Sequence, residues 1–301
     1  MKLTIIVPMY NVEATIGRCV RSITAQTFAD YELLLVDDGS PDGSAALAES
    51  FAMDDSRITV LHKANGGLSS ARNYALDRCR GDYVTFVDGD DEIAPGTLEA
   101  VMDEAAGHAD CDIIEYPVTE RVGRPDEHLF NPGAHVYADC MDWLARFGLS
   151  HCWVCNKVFR RRLFDHGARF AVGRRFEDVL LLPHLLLQRP RIATTDRGMY
   201  LYHWNGSGIV ATTPDLTPLL EAQTGLVSLL GIDTRRRRWH RLYVDMLSVQ
   251  LYVYRATGRI MLRPQRLALT GYGRTGYSLK AAAVNVLGLR LTCKIFKLLK
   301  R

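Results

Sequence analysis

The chain of 301 residues predicts an α/β fold: a mostly parallel central sheet flanked by helices, followed by a helical, basic C-terminal appendage. Three observations predict it. Short, near-continuously apolar runs alternate with segments of helical spacing, and strands apolar on both sides belong to parallel sheets covered on both faces. Two of these runs end in crowded carboxylates, Asp37-Asp38 and Asp88-Gly89-Asp90-Asp91. In such sheets ligands lie beyond the carboxyl ends of the strands, so both clusters belong on one edge. From Gly231 to Arg301 there are 16 Lys or Arg against 2 Asp or Glu, a net +14 that leaves −11 for the preceding residues of a chain of net +3.

Taken in order, Leu3 to Pro8 is a buried strand closed by proline, which has no donor for the ladder. From Thr15 to Gln26 the spacing of Ile16, Val20 and Ile23 predicts a helix, and Tyr31 to Val36 predicts the next strand. No Gly-x-Gly-x-x-Gly follows the first strand, which removes most support for an ordinary dinucleotide-binding fold. Between the acidic clusters, Asn65-Gly66-Gly67-Leu68-Ser69-Ser70-Ala71-Arg72-Asn73 offers a flexible glycine pair, hydroxyl caps and one arginine at a helix start. There Arg72 either pairs with a diphosphate or belongs to a simple capped helix.

Phe86-Val87 runs straight into Asp88, Asp90 and Asp91. Carboxylates this close repel one another unless a cation, a basic partner or water balances them. Magnesium or manganese suits hard oxygen donors and keeps water and substrate phosphate in its shell, so one or two protein carboxylates suffice. On this reading Asp90 is the metal ligand and Asp88 takes a ribose hydroxyl or a metal-bound water. The alternative for the isolated hexapeptide is a solvated Asp-Gly turn.

Val7-Pro8-Met9-Tyr10-Asn11, Val36-Asp37-Asp38-Gly39-Ser40, Asn65-Gly66-Gly67 to Arg72-Asn73, and Phe86 to Asp91 follow one another in an order that resembles the family 2 glycosyltransferases. The resemblance covers roughly the first two-thirds of the chain, and it implies the GT-A fold and an inverting transferase of a nucleotide-activated sugar. It puts Pro8 and Tyr10 beside the base, and Asp38, or Asp37 in its place, where a carboxylate accepts the imide hydrogen of uracil. Gly67 then belongs to the donor loop, Arg72 lies near the base or diphosphate, and Asp88 and Asp90 meet ribose and metal. A carboxylate acceptor matches uracil but not the corresponding face of cytosine, which favours a UDP-sugar.

In similar transferases the acidic pair met here as Glu177-Asp178, ahead of the leucine-rich stretch Leu180 to Leu187, supplies the general base. That role falls to Asp178, with Glu177 as orienting neighbour or substitute; the alternative is an acidic pair at a helix N-terminus. Tyr200 to Ser207 matches an aromatic strand and a loop that closes over the donor, with His203 as a metal or diphosphate contact or as an ordinary hydrogen-bonded histidine. The chain departs from the family at Cys155, where many relatives carry tryptophan before the Asn156-Lys157 pair. Cys152-x-x-Cys155 has no second ligand pair for zinc, and seven irregularly spaced cysteines suit a reducing compartment.

The domain boundary is expected between Gly208 and Pro218, giving a catalytic domain over 1–212 (a nucleotide-sugar half over 1–115 and an acceptor half over 116–212) and a helical basic region over 213–301. Arg235-Arg236-Arg237-Arg238-Trp239-His240-Arg241 suits nucleic acid, membrane or a solvated helix face. The final stretch decides for membrane: Val284, Leu287, Leu291, Ile295 and Leu298 share one helical face, and Arg290, Lys294, Lys297 and Arg301 another. That is a basic amphipathic helix for an anionic membrane surface, or a terminal helix packed on its own domain. Neither a spanning segment nor a signal peptide is apparent, so the expectation is a cytoplasmic enzyme held at the inner face of a bacterial membrane. Its partners are a nucleotide-sugar donor and a glycan or lipid-linked glycan acceptor, not nucleic acid. Two alternatives stand beside it. A nucleotidyltransferase needs a glycine-rich, lysine-bearing loop that Pro8 to Asn11 does not offer, and a non-catalytic membrane or nucleic-acid binder would not need Asp88 or Asp178.

Overall fold

The computed structural model describes residues 2–206, 212–272 and 275–299. Its strands are β1 (Leu3–Met9), β2 (Tyr31–Asp37), β3 (Ile58–His62), β4 (Tyr83–Phe86), β5 (Glu92–Ile93), β6 (Ile113–Glu115), β7 (Val118–Glu120), β8 (His128–Phe130), β9 (His135–Tyr137), β10 (Lys157–Arg160), β11 (Ile192–Thr194) and β12 (Tyr200–Tyr202). The helices are α1 (Glu13–Thr24), α2 (Ser44–Asp54), α3 (Leu68–Leu76), α4 (Thr97–Gly107), α5 (Cys140–Phe147), α6 (Arg162–Asp165), α7 (Glu177–Leu186), α8 (Thr217–Leu229), α9 (His240–Thr257) and α10 (Thr275–Leu299).

Every residue of β1 and β2 is buried, as their continuous apolar runs require for strands covered on both faces. They lie in an eight-stranded sheet of order β3-β2-β1-β4-β10-β6-β11-β9. The β3-β2-β1-β4 half is parallel throughout, β10 runs against both β4 and β6, and only β9 joins it in the reversed direction. A second sheet, β5-β12-β7-β8, lies in the same unit. Helix α1 begins two residues earlier than its periodicity suggested and buries Ile16, Val20 and Ile23 as expected.

Pro8 ends the ladder on one side only. Pairing of β1 with β4 stops at Ile6↔Phe86, whereas pairing with β2 continues through Pro8↔Val36 to Met9↔Asp37. The Ile6 carbonyl faces β4, where it accepts the Val87 amide, and Pro8 two residues on presents its missing donor to that same side. The sheet therefore opens between the ends of β1 and β4, next to Asp88.

The described residues form two compact units. One takes in the chain up to Cys140, Trp153–Glu177 and Gln188–Gly206; the other takes in Met141–Cys152, Asp178–Leu187 and the described residues beyond 206. The expected boundary at 208–218 lies partly outside the described residues, and 141–152 and 178–187 group with the later segment. None of the seven cysteines is in a disulfide.

Within the second unit, α10 is not the single amphipathic helix that its spacing suggested. It breaks at Gly288 (φ 73°, ψ 160°), a conformation open to glycine and costly for other residues. The break resets the helical phase, so Leu289, Thr292 and Cys293 turn inward while Leu287, Leu291 and Leu298 stay exposed. Val284, ahead of the break, is buried. Arg301 lies outside the described residues.

Candidate active site

The carboxyl ends of β1, β2 and β4 bring Tyr10, the Asp37-Asp38 pair and Asp88 to one edge of the sheet. Pro8 is buried and Tyr10 is 51% exposed beyond it. Asn11 takes a left-handed conformation (φ 55°), and the following turn is held by Val12 donating to Ser44 Oγ at 2.9 Å.

Asp37 and Asp38 are both buried and point into different networks. Asp37 accepts the Ser40 amide at 2.9 Å and faces His62 Nδ1 at 3.1 Å. Burial pushes its carboxyl up, but these hydrogen bonds outweigh it and hold the group below the usual range. Asp38 accepts the amides of Gly66 at 3.0 Å and Gly67 at 2.6 Å, and it pairs with Lys63. It thereby fixes the glycine loop at the start of α3. Gly67 stands at φ 83°, with open space where a side chain would project. No side chain caps α3, so the hydroxyl cap expected from Ser69 and Ser70 is absent.

One turn into α3, Arg72 is only 2% exposed. Its Nη2 donates to Asp88 Oδ1 at 2.7 Å and its Nη1 to Glu177 Oε1 at 2.9 Å. The guanidinium lies over Phe170 at 5.1 Å and Phe86 at 5.9 Å, faces that favour a desolvated cation. Glu177 opens α7 directly after Phe176, which has φ 60°. A bulky residue in that region stores strain, and here it delivers Glu177 to the arginine. Asp178 is the next residue, half-buried in the first turn of α7.

The third acidic element is the turn after β4. Asp90 accepts Asn205 Nδ2 at 3.2 Å, and its backbone carbonyl accepts Arg18 at 2.8 Å. Burial, then the charge of Asp88, pushes the Asp90 carboxyl up. Asp91 is fully enclosed, and burial followed by the charges of Asp88 and Asp90 pushes it further. It accepts the Tyr200 hydroxyl at 2.7 Å and the His203 amide at 2.8 Å. Tyr200 in turn accepts the Asp88 amide at 3.1 Å. Asp91 is thus the clamp that fixes β12 to the acidic turn, a role sequence reasoning missed; its place next to two polar-facing aspartates was the available signal. His203 is half-buried, with Nε2 3.7 Å from Glu92 Oε2; burial, then Arg18, lowers its pKa.

Among the described residues no three His, Cys, Asp or Glu side chains converge as a ready metal cage, and Asp88, Asp90 and His203 do not form one. The donor set still fits a hard cation. Asp90 shares its turn with Asp88, and burial and the Asp88 charge leave its own charge poorly compensated, as its raised pKa shows. Magnesium or manganese completes its shell from water and phosphate when so few protein oxygens are offered.

Also unforeseen was the use of the Asn156-Lys157 pair. Lys157 is 1% exposed and ion-paired at 3.0 Å with Glu115, itself fully buried, while Asn156 Nδ2 donates to the Tyr116 carbonyl at 2.8 Å. These residues tie β10 to β6 and the segment after it.

Comparison with known proteins gives the family and the fold. The family model described as Glycosyl transferase family 2 matches residues 4–167. The uncharacterized glycosyltransferase EpsJ of Bacillus subtilis is 32% identical over 228 residues, 69% of this chain; the chain spans 62% of that protein's length. The structure of S. aureus TarS 1-349 in complex with UDP-GlcNAc superposes with a TM-score of 0.68 at 21% identity, covering 99% of this chain and 92% of that one. The mannosyltransferase PcManGT of Pyrobaculum calidifontis, in complex with GDP-Man and Mn2+, gives 0.54 at 16% identity over 98% of this chain and 73% of that one. The architecture is the GT-A fold, and with more than half of its residues matched by the family model the chain is a member of glycosyl transferase family 2.

Proposed function

We propose that this chain is an inverting, metal-dependent glycosyltransferase that moves a sugar from a nucleotide sugar, UDP being the first choice, to a glycan or lipid-linked glycan acceptor in cell-surface polysaccharide synthesis. The observation that carries the reading is the buried Arg72 bridge, which joins Asp88 of the acidic turn to Glu177 at the head of the proposed catalytic helix. The UDP-GlcNAc bound to TarS supports the choice of nucleotide, and the Mn2+ in PcManGT supports the choice of metal.

In this reading Pro8 and Tyr10 flank the base, and Asp37 and Asp38 mark its imide end, Asp38 also setting the Gly67 loop. Asp88 meets the ribose, and Asp90 with Asp88 holds the cation, which supplies charge neutralisation at the leaving diphosphate. His203 contacts the metal or the diphosphate. Asp178 takes the proton from the acceptor hydroxyl as its oxygen attacks the anomeric carbon; the bond to the diphosphate breaks as the new one forms, and the anomeric centre inverts. Glu177, held by Arg72, orients the start of the helix that carries the base.

A hold on the inner membrane face through α10 belongs to the same proposal. No helix among the described residues is long and apolar enough to cross a membrane. Exposed leucines on α10 alternate with Arg290, Lys294 and Lys297, a pattern that suits a peripheral contact with anionic lipid.

The direct test is calorimetric titration with UDP, GDP and CDP, with and without manganese. Manganese-dependent binding of UDP that weakens in Asp90→Ala is the expected result, and no binding of any nucleotide would remove the reading.

A further inference from the structure

We propose a second anion site, a phosphate-binding pocket at the N-terminus of α9, built from Arg237, Arg238 and Arg241 with Thr270 and Gly271. It lies wholly within the second unit and does not depend on the donor site. The cavity has a volume of about 250 Å3 and is also lined by Ala145, His240, Ala268 and Tyr272. That is room for several water molecules, each about 30 Å3, and hence for a phosphate or diphosphate group.

The charge at this cavity is largely uncompensated. Arg238 reaches Asp142 at 3.1 Å, but both side chains are well exposed and such a pair is weak. Among the described residues no carboxylate is paired with Arg237 or Arg241. Arg241 is partly buried, and its Nε is enclosed without a hydrogen-bond partner, although Nη1 makes a long contact of 3.4 Å to the Tyr272 carbonyl. The Arg241 guanidinium lines the cavity without a carboxylate partner, and a phosphate oxygen there would give it a charge-assisted acceptor.

The backbone adds to the field. No side chain caps α9, and no acidic residue stands in its first turn, so the positive end of the helix dipole is left facing the cavity with the arginines. The opposite wall is fixed in place. His240 Nδ1 accepts the Ala268 amide at 2.8 Å, its Nε2 donates to the Arg235 carbonyl at 3.1 Å, and Asn285 exchanges bonds of 2.9 and 2.7 Å with Leu267. Gly271 at φ 96° turns the chain with nothing near the position a side chain would fill. The result is a preformed concave site for a small polyanion. A nucleic-acid groove would want exposed aromatic faces for base stacking, and both aromatics here, Trp239 and Tyr272, are buried.

The ligand class is a phosphate ester or diphosphate, whose source is either a lipid headgroup or a water-soluble phosphorylated compound. Calorimetry of the full chain with inorganic pyrophosphate tests it. Binding is expected to weaken about tenfold or more in the double variant Arg237→Gln/Arg238→Gln, each lost charge-assisted contact being worth roughly a factor of ten. Both side chains are exposed, so circular dichroism should be unchanged; Arg241→Gln, less exposed, should weaken binding further. Pyrophosphate held at the donor turn is told apart because it responds to Asp90→Ala and not to the arginine variants.

Cosedimentation with phosphatidate vesicles against phosphatidylcholine vesicles then assigns the source. Arginine-dependent binding to phosphatidate points to a headgroup, and binding of soluble pyrophosphate alone points to a soluble phosphate. Equal pyrophosphate affinity in the wild type and the double variant, or none in either, overturns the proposal. So does a single-stranded RNA oligonucleotide bound through these arginines while pyrophosphate is ignored.

Discussion

Arg72 and Glu177 share a 2.9 Å hydrogen bond across 105 residues of sequence, and the same guanidinium holds Asp88 at 2.7 Å with its other arm. A planar fork reaches two carboxylates at once in a way a single ammonium cannot. Arg72→Ala leaves both acids facing each other without a cation, and breaking a buried pair from one side costs about 3–5 kcal/mol. Arg72→Lys keeps the charge and should cost less, while Glu177→Gln, which keeps an acceptor, should cost about 1–2 kcal/mol. Urea denaturation of the three variants measures this order. A loss under about 1 kcal/mol in Arg72→Ala would show that the bridge does not hold the edge together.

The acidic turn makes a pH-dependent prediction. Asp90 and Asp91 both titrate higher in the fold than in the unfolded chain, because burial and neighbouring carboxylates oppose their charge. Their contribution to stability is complete below the ordinary aspartate pKa of about 3.9 and is lost as pH rises through the raised values. Asp90→Asn should therefore raise Tm near pH 7 by about 2 °C, roughly the shift 1 kcal/mol produces at this size, with no gain near pH 4. Manganese should raise the Tm of the parent at neutral pH and leave the variant unmoved. Thermal scans at the two pH values, with and without the metal, decide it. An Asp90→Asn variant less stable than its parent at pH 7 would mean that Asn205 and the turn need the charge.

Much of this edge was legible in the sequence. The runs from Leu3 and from Tyr31 are apolar on both faces because those strands are central, and carboxylates directly after an apolar run mark a strand end that ligands reach. Arg72 was recognised as an arginine at a helix start but not as a buried bridge, since its partners are 16 and 105 residues away and local spacing carries no trace of them. The strained Phe176 was invisible for a similar reason: a phenylalanine gives no turn signal, and only the surrounding structure sets its φ. Gly288 misled in the other direction. Leucine spacing continues across it in perfect helical phase, and only the backbone break shows that the register changes.

The proposed base can be separated from its neighbour by kinetics. Asp178→Asn should lower kcat by about 10²- to 10⁴-fold, the usual worth of a general base, while the affinity for UDP stays within about twofold. Glu177→Gln should instead lower stability as well as activity, because it loosens the contact with Arg72. Stopped assays of sugar transfer alongside UDP titrations read both quantities. If Asp178→Asn keeps nearly full activity and Glu177→Gln loses it without destabilising the fold, the two roles are reversed.

The proposed membrane contact rests on α10 beyond its break. Leu291 is 45% exposed, Leu298 63% and Leu299 79%, and Arg290 and Lys294 are exposed beside them. A leucine removed from water into the lipid interface contributes about 1.5–3 kcal/mol at full burial, so Leu291→Gln/Leu298→Gln should reduce partition into phosphatidylglycerol vesicles by at least about tenfold. Because both leucines already face solvent, the fold should lose no more than about 0.5 kcal/mol. Lys294→Gln should weaken binding by a smaller factor that vanishes at high salt, since an exposed charge acts through a screened field. Equal sedimentation of parent and leucine variant with these vesicles would leave α10 as a helix that packs on α9 and would remove the proposed membrane contact.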